Sequence, residues 1–292
     1  MKYSKLVALT IAGSLALGAF ALSGCSGSGS ATGSGGKEAG GTINVAGSDT
    51  MVNLAQAWAE KYQEDNPDVS ITVKGGGSGN GIAALINKTV DFADASREIK
   101  AEEVSQAKTA GVDPVVTEVA RDGVVVVVNS ANPVAGLTKE QLGKIYAGQV
   151  TNWKDVGGPD KPIVLLGRDS SSGTYAFMLE EVVQKLPSKP EYAKSMRNLQ
   201  STQAIVDEVS KNTDAIGYIG LGYENASIKP LPIDGTQSSV DTVLDGTYAL
   251  SRGLNMYSDG APQGIMKAYV DWILSPAGQS IVKEQGFVPL AK

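Results

Sequence analysis

Gly123-Val124-Val125-Val126-Val127-Val128-Asn129 is the stretch that decides the architecture of this chain. Consecutive β-branched residues are stiff at χ1 and favour extended backbone. The run has no alternation of polar and apolar positions, so both faces of the strand must be covered. Such a strand belongs inside a sheet flanked by helices. The segments upstream supply them: strands at Thr42–Ala46, Val69–Lys74 and Val90–Ala95 alternate with helices at Thr50–Asp65, Gly79–Lys88 and Ala101–Ala110. Leu54, Ala57, Trp58 and Tyr62 share one face of the first helix, whereas the third is polar and reads as exposed. Alternation of this kind predicts an α/β fold with a parallel-rich sheet.

Val115–Ala120 precedes the valines as a separate extended run. Downstream the pattern predicts helices at Thr138–Ala147, Ser172–Gln184, Thr202–Lys211, Pro262–Leu274 and Pro276–Glu284, and strands at Pro162–Leu166 and Ala215–Ile219. A further extended stretch lies near Tyr248–Met256. If the chain crosses between lobes at the valine run and again there, lobe I is 42–124 plus 252–292 and lobe II is 125–251. Two crossings form a hinge, and a ligand cleft is expected between the lobes. Trp58, Trp153 and Trp272 read as packing residues.

The N-terminus carries Lys2 and Lys5, an apolar run from Leu6 to Leu22, and then Leu22-Ser23-Gly24-Cys25. The run is short for a membrane span and small residues precede the cysteine, so residues 1–24 read as an export signal. Leu-Ser-Gly-Cys resembles the lipobox of bacterial lipoproteins, which implies cleavage before Cys25 and its lipidation; the alternative is a secreted protein with an odd thiol. Residues 25–41 are rich in Gly and Ser and read as a flexible tether holding the folded part beside a membrane.

The formal charge of −6 becomes more negative once Lys2 and Lys5 are removed. That argues against nucleic acid as a partner. Long-range steering of an anion is also unfavourable, although charges more than about 8 Å apart are largely screened at physiological salt. The chain has no histidine and one cysteine. Zinc sites of the usual Cys/His kind and Ser–His or Cys–His nucleophiles are therefore excluded. A Ser–Lys pair or paired carboxylates remain possible, and no cofactor is implied.

Four stretches carry the chemistry: Gly47-Ser48-Asp49-Thr50, Gly75-Gly76-Gly77-Ser78-Gly79, Ala95-Ser96-Arg97 and Gly167-Arg168-Asp169-Ser170-Ser171-Ser172-Gly173-Thr174. Each offers hydroxyl donors, close-approach backbone or a guanidinium, and at least three sit where a strand pattern meets a loop or helix start. N–H groups at a helix start carry partial positive charge and donate to anions without a metal. Arg168 adds a planar fork suited to two oxyanion oxygens. Asp49 and Thr50 also fit as helix caps, and the Ser172 segment as a plain N-cap. The last stretch lacks the Gly-Lys-Ser/Thr ending of a P-loop. Together the four read as a cage for a small tetrahedral oxyanion.

With these residues in view, the chain resembles the phosphate-binding proteins of bacterial high-affinity phosphate ABC importers, in the periplasmic-binding-protein superfamily. The resemblance runs through Ala-Gly-Ser-Asp-Thr, Gly-Gly-Gly-Ser-Gly-Asn-Gly-Ile, Val-Asp-Phe-Ala-Asp-Ala-Ser-Arg, Ile145-Tyr146-Ala147-Gly148…Asn152-Trp153, Arg168…Ser172-Gly173-Thr174, Ala215-Ile216-Gly217-Tyr218-Ile219-Gly220 and Gly286-Phe287-Val288-Pro289-Leu290. It implies a two-lobed type II fold with a two-strand hinge, lobe I being built from both chain ends. It also implies binding of inorganic phosphate by a lipid-anchored monomer that serves permease and ATPase subunits and has no enzymatic activity.

By position, Ser48, Thr50, Ser78 and Ser96 would bind from lobe I, and Arg168, Ser172, Gly173 and Thr174 from lobe II. Well-known members carry an aspartate at the place of Ser96, where it accepts the phosphate proton; the Ser-Arg pair found here is a variant in the family. Arg97 is then expected to supplement Arg168. Asp49 is the first candidate for proton acceptor and Asp169 the second, unless Asp169 orients Arg168. Another oxyanion, sulfate or molybdate, and a phosphatase using Ser172 are the alternatives.

Overall fold

A computed structural model of the chain describes residues 40–290. The signal segment, Cys25 and most of the expected tether lie outside the described residues. The expected tether overlaps the fold by a residue: Gly41 already opens the first strand, and its N–H donates to the Asp68 carbonyl. Among the described residues no helix is long and apolar enough to cross a membrane.

The strands are β1 (Gly41–Gly47), β2 (Val69–Lys74), β3 (Phe92–Ala95), β4 (Pro114–Asn129), β5 (Val164–Arg168), β6 (Arg197–Leu199), β7 (Ala215–Gly220), β8 (Ile228–Pro230) and β9 (Ser251–Asp259). They run in the order β2-β1-β3-β9-β4-β7-β5-β6, with β8 also on β4. β1 pairs parallel with β2 and β3, and β5 parallel with β6 and β7. The centre is antiparallel, because β9 lies against both β3 and β4, and β7 against β4. The sheet is therefore mixed, parallel only in its outer parts.

The two extended runs at Val115–Ala120 and Gly123–Asn129 are one strand. Residues Pro114 to Gly123 of β4 pair with β9, with a bulge between Glu118 and Ala120; residues Val124 to Val128 pair with β7. The polar Arg121-Asp122 that interrupts the sequence pattern does not interrupt the strand, since Asp122 finds a charged partner inside. The valines are fully buried. β4 thus carries the chain from one part of the sheet to the other, and β9 carries it back.

Helices α1 (Val52–Asp65), α2 (Ser78–Ile86), α3 (Ala101–Thr109), α4 (Lys139–Tyr146), α5 (Gly173–Glu181), α6 (Thr202–Lys211), α7 (Val240–Leu244), α8 (Gly264–Ile273) and α9 (Pro276–Glu284) cover the sheet. Leu54, Trp58 and Tyr62 recur every four residues and form the buried stripe of α1, while Ala107 is the sole fully buried residue of the polar α3. The C-terminal helices pack on α1: Trp58 Nε1 donates to the Gly278 carbonyl at 2.9 Å, and Tyr62 meets Tyr269 and Trp272 edge-on. Trp58 and Trp153 are buried as packing residues require.

Candidate anion-binding site

Strand ends and helix starts bring the four stretches together. Ser48 follows β1, Ser96 follows β3 and Arg168 ends β5, while α2 begins at Ser78 and α5 at Gly173. Beyond the carboxyl ends of parallel strands, helix N-termini converge and backbone N–H groups are free to point inward. Ser48 Oγ donates to Ser96 Oγ at 2.9 Å, the Ser96 N–H donates to Ser78 Oγ at 3.1 Å, and the Thr50 and Thr174 hydroxyls lie 2.8 Å apart. Ser172 caps α5, its Oγ accepting from the N–H groups of Thr174 and Tyr175. All these hydroxyl residues are buried.

Gly173 shows how close the approach is. A Cβ there would stand 2.5 Å from Ser78 Oγ and 2.6 Å from Ser96 Oγ, so no side chain fits between the start of α5 and the β3 end. On the other flank the Gly79 N–H donates to the Ser171 carbonyl at 2.8 Å. Gly47, with φ of 144°, lies against the Asp94 backbone and turns the chain out of β1 so that the Ser48 N–H reaches the Asp94 carbonyl.

By sequence, Asp49 and Thr50 fit as caps of the first helix. The structure starts α1 at Val52 behind Met51, with no side-chain cap, and uses both residues elsewhere. Asp49 Oδ1 accepts the Gly76 N–H at 2.8 Å, and Oδ2 accepts from Arg168 Nη2 at 2.7 Å. The predicted strand before Arg168 ends two residues too early, because β6, which the sequence pattern did not reveal, pairs with Gly167 and Arg168.

Arg168 is 1% exposed, and protein acceptors take most of its guanidinium. Nε donates to Leu199 O, Nη1 to Thr202 Oγ1, and Nη2 to both Asp49 and Gln200 O. The remaining donor is one N–H on Nη1. The sequence reading of a free fork therefore changes: Arg168 is a largely committed charge with a single donor to spare. Its backbone N–H donates to the hydroxyl of Tyr218, a group that burial pushes up to about 12.

Asp169 does not pair with Arg168; Asp49 does. Arg97 lies beside the first turn of α2, its Nη2 3.5 Å from where a Cβ of Gly79 would stand. Its Nη1 and Nη2 grip both oxygens of Glu103 at 2.8 and 2.7 Å. Burial works against the charge on Glu103, yet the Arg97 and Lys100 contacts hold its carboxyl below the ordinary value. Arg97 thus commits part of its guanidinium to Glu103 and the Glu98 carbonyl, and any supplement to Arg168 would come from its Nε–H and second Nη2–H.

Sequence reasoning missed Asp122, Arg252 and Thr202. A charged pair inside an apolar strand was the available signal for Asp122, since a buried charge demands a partner. That partner is Arg252 on β9, whose Nη2 donates to Asp122 Oδ2 at 2.7 Å. Burial pushes the Asp122 carboxyl up while Arg252 pulls it down. Arg252 and Thr202 lie far from the four stretches in sequence, and nothing local marked them.

Fold and cage define a class. Residues 32–277 match the family model described as a PBP superfamily domain. The phosphate-binding protein PstS of Pseudomonas aeruginosa is 31% identical over 273 residues, 86% of this chain and 83% of that protein. The phosphate-binding protein PstS of Staphylococcus saprophyticus is 35% identical over 294 residues, 96% of this chain and 89% of that one. Among solved structures, a putative phosphate ABC transporter substrate-binding protein with bound phosphate from Clostridium perfringens superposes with a TM-score of 0.79 at 31% identity, covering 86% of this chain and 100% of its own. The chain belongs to the PstS family of phosphate-binding proteins within that superfamily.

Proposed function

We propose that this chain captures inorganic phosphate in the cage and presents it to the permease of an ABC importer, releasing it chemically unchanged. The observation that carries the reading is the convergence of Ser48, Thr50, Ser78, Ser96, Thr174 and the α5 N-terminus on one buried spot beside Arg168. Neutral hydroxyl and backbone donors suit an anion inside a protein of net negative charge. In a desolvated site they hold the ligand without drawing in the unfavourable long-range field. Micromolar binding needs about 8.2 kcal/mol, and hydrogen bonds to a charged group contribute roughly 1.5–3 kcal/mol each, so several suffice after association costs.

In this reading residues 42–124 with 252–292 form one lobe, residues 125–251 the other, and β4 with β9 the hinge. Each lobe supplies half of the donors, so phosphate favours the closed state through contacts to both. Asp49 accepts the phosphate proton: each of its oxygens takes one protein donor and has a second lone-pair direction left. Sulfate offers no proton near neutral pH and would face that carboxylate's lone pairs. Lipidation at Cys25, read from the sequence, would keep the monomer at the outer face of the cell membrane beside the permease, whose ATPase subunits work from the other side.

Isothermal titration of the purified chain with inorganic phosphate tests the reading. Arg168→Ala should weaken binding at least tenfold, about 1.4 kcal/mol or more, because it leaves Asp49 unpaired as well as removing the donor. Sulfate should not compete between pH 5 and 8, and Asp49→Asn should erase that discrimination. Equal affinity for sulfate would transfer the function to another oxyanion.

A further inference from the structure

Beneath the cage, the two strands that carry the chain across the sheet hold a buried ion pair. Asp122 of β4 and Arg252 of β9 stand opposite each other in the antiparallel register. Nε and Nη2 of Arg252 both donate to Asp122 Oδ2, at 3.0 and 2.7 Å. Its Nη1 donates to the carbonyl of Ser96 at 3.0 Å. Asp122 Oδ1 accepts the Leu221 N–H at 2.9 Å, just beyond β7. Phe177, one turn into α5, presents its ring to the guanidinium, with Cζ 5.5 Å from the centroid.

Taking two charges out of water is costly, and a well-packed apolar pair would stabilise a fold at least as well. The pair therefore calls for a role that apolar packing cannot fill. Its geometry supplies one. Ser96 belongs to the β1–β3 side of the cage, where its Oγ and N–H bond Ser48 and Ser78. Phe177 and Leu221 belong to the α5 and β7 side. One guanidinium thus holds the Ser96 backbone, the α5 ring and, through Asp122, the end of β7 together. Rotation of one side against the other about β4 and β9 would separate Ser96 from Phe177 and break at least one of these contacts. All of them coexist when the cage is assembled, so they favour the closed state by whatever they lose on opening.

We infer that Arg252 is a positioning residue for ligand capture, a latch on the crossing strands that fixes Ser96 against α5 and sets the lifetime of the closed cage. It touches no ligand. Its charge is matched by Asp122, so it acts through contacts rather than through long-range attraction. The inference rests on the cage being the phosphate site.

Stopped-flow and calorimetric measurements with inorganic phosphate on the full chain test the latch. Phe177→Leu keeps an apolar side chain and removes only the ring under the guanidinium. It should raise the phosphate dissociation rate roughly threefold to tenfold and leave the association rate within about twofold. Arg252→Lys should raise the dissociation rate further, because one ammonium cannot serve Asp122 and the Ser96 carbonyl in the same planar geometry. The paired change Arg252→Met with Asp122→Asn avoids a lone buried carboxylate and should release phosphate as fast as Arg252→Lys. Variants that melt at lower temperature yet release phosphate at the wild-type rate would assign Arg252 to stability alone and overturn the latch. If the wild-type chain bound no phosphate, the site reading and the latch would fall together; wild-type binding with unchanged release in Phe177→Leu and Arg252→Lys would sink the latch alone.

Discussion

Arg168 and Asp94 show two ways in which a charged residue is accommodated in this interior. Arg168 is matched by Asp49, Thr202 and two carbonyls, so its charge stays compensated where water is excluded. Asp94, on β3, has no such match: it is 2% exposed, and among the described residues its Oδ1 has no hydrogen-bond partner. Burial pushes its carboxyl up to about 7. Below the ordinary carboxylate range both the folded and unfolded chains hold this proton, and Asp94 is without penalty. As pH rises towards 7 the unfolded chain releases the proton that the folded chain retains, so stability falls; above about 7 the loss is complete. Asp94→Asn is close in shape and cannot ionise. Thermal melts from pH 4 to pH 8 should show it gaining on wild type by a few kcal/mol, on the order of one for each pH step of the window. Parallel melting curves across that range would contradict this account. From the sequence Asp94 was one letter in a strand; its cost arises only when neighbouring strands and helices close over it.

Helix starts divide into those that serve the fold and those that serve the cage. α4 begins with a reciprocal cap: Thr138 Oγ1 accepts the Gln141 N–H at 3.0 Å, and Gln141 Oε1 accepts the Thr138 N–H at 2.8 Å. The Thr-Lys-Glu-Gln spacing makes that cap readable from sequence. Thr138→Ala should lower stability by about 1 kcal/mol in a denaturant titration and leave phosphate affinity unchanged, since the Thr138 cap bonds lie within the first turn of α4, at the opposite end from Tyr146. A loss of affinity would mean that α4 helps to position ligand. By contrast α1 has no side-chain cap, although Asp49 and Thr50 stand just before it. Those side chains reach Arg168, Gly76 and Thr174 instead. Local rules alone favour capping; the tertiary contacts outweigh it because they pair groups that would otherwise be buried unsatisfied.

At the scale of the molecule, the proposed anion cage depends on β4 changing partner between Gly123 and Val124. That change lets one continuous strand serve both parts of the sheet and leaves their strand ends facing a common space. A ligand bound only by the assembled cage should stabilise the whole described body. Phosphate at 100 times its dissociation constant should add about 2.7 kcal/mol to the unfolding free energy. Scanning calorimetry should find a melting temperature that climbs with phosphate concentration, and the Arg168→Ala chain should need at least tenfold more phosphate for the same rise. A rise in both chains alike would point to a general salt effect rather than to the cage.

The sequence by itself determined the α/β character, the buried valine run, the helix at Ser172 with its cap, and the hydroxyl- and glycine-rich stretches at strand ends. These follow from near-neighbour physics: periodicity, χ1 stiffness, capping spacing and the conformational freedom of glycine. Tertiary structure alone decided that the sheet is mixed, that β6 and β8 join it, and that Asp49 rather than Asp169 meets Arg168. It also decided that Arg97 is held by Glu103, and that Arg252 lies under Ser96. Asp49 and Arg168, or Ser96 and Arg252, are brought together by the register of distant strands. No local signal encodes which buried charge will find which partner, because that choice is made by the low dielectric of the closed interior and the geometry that surrounds it.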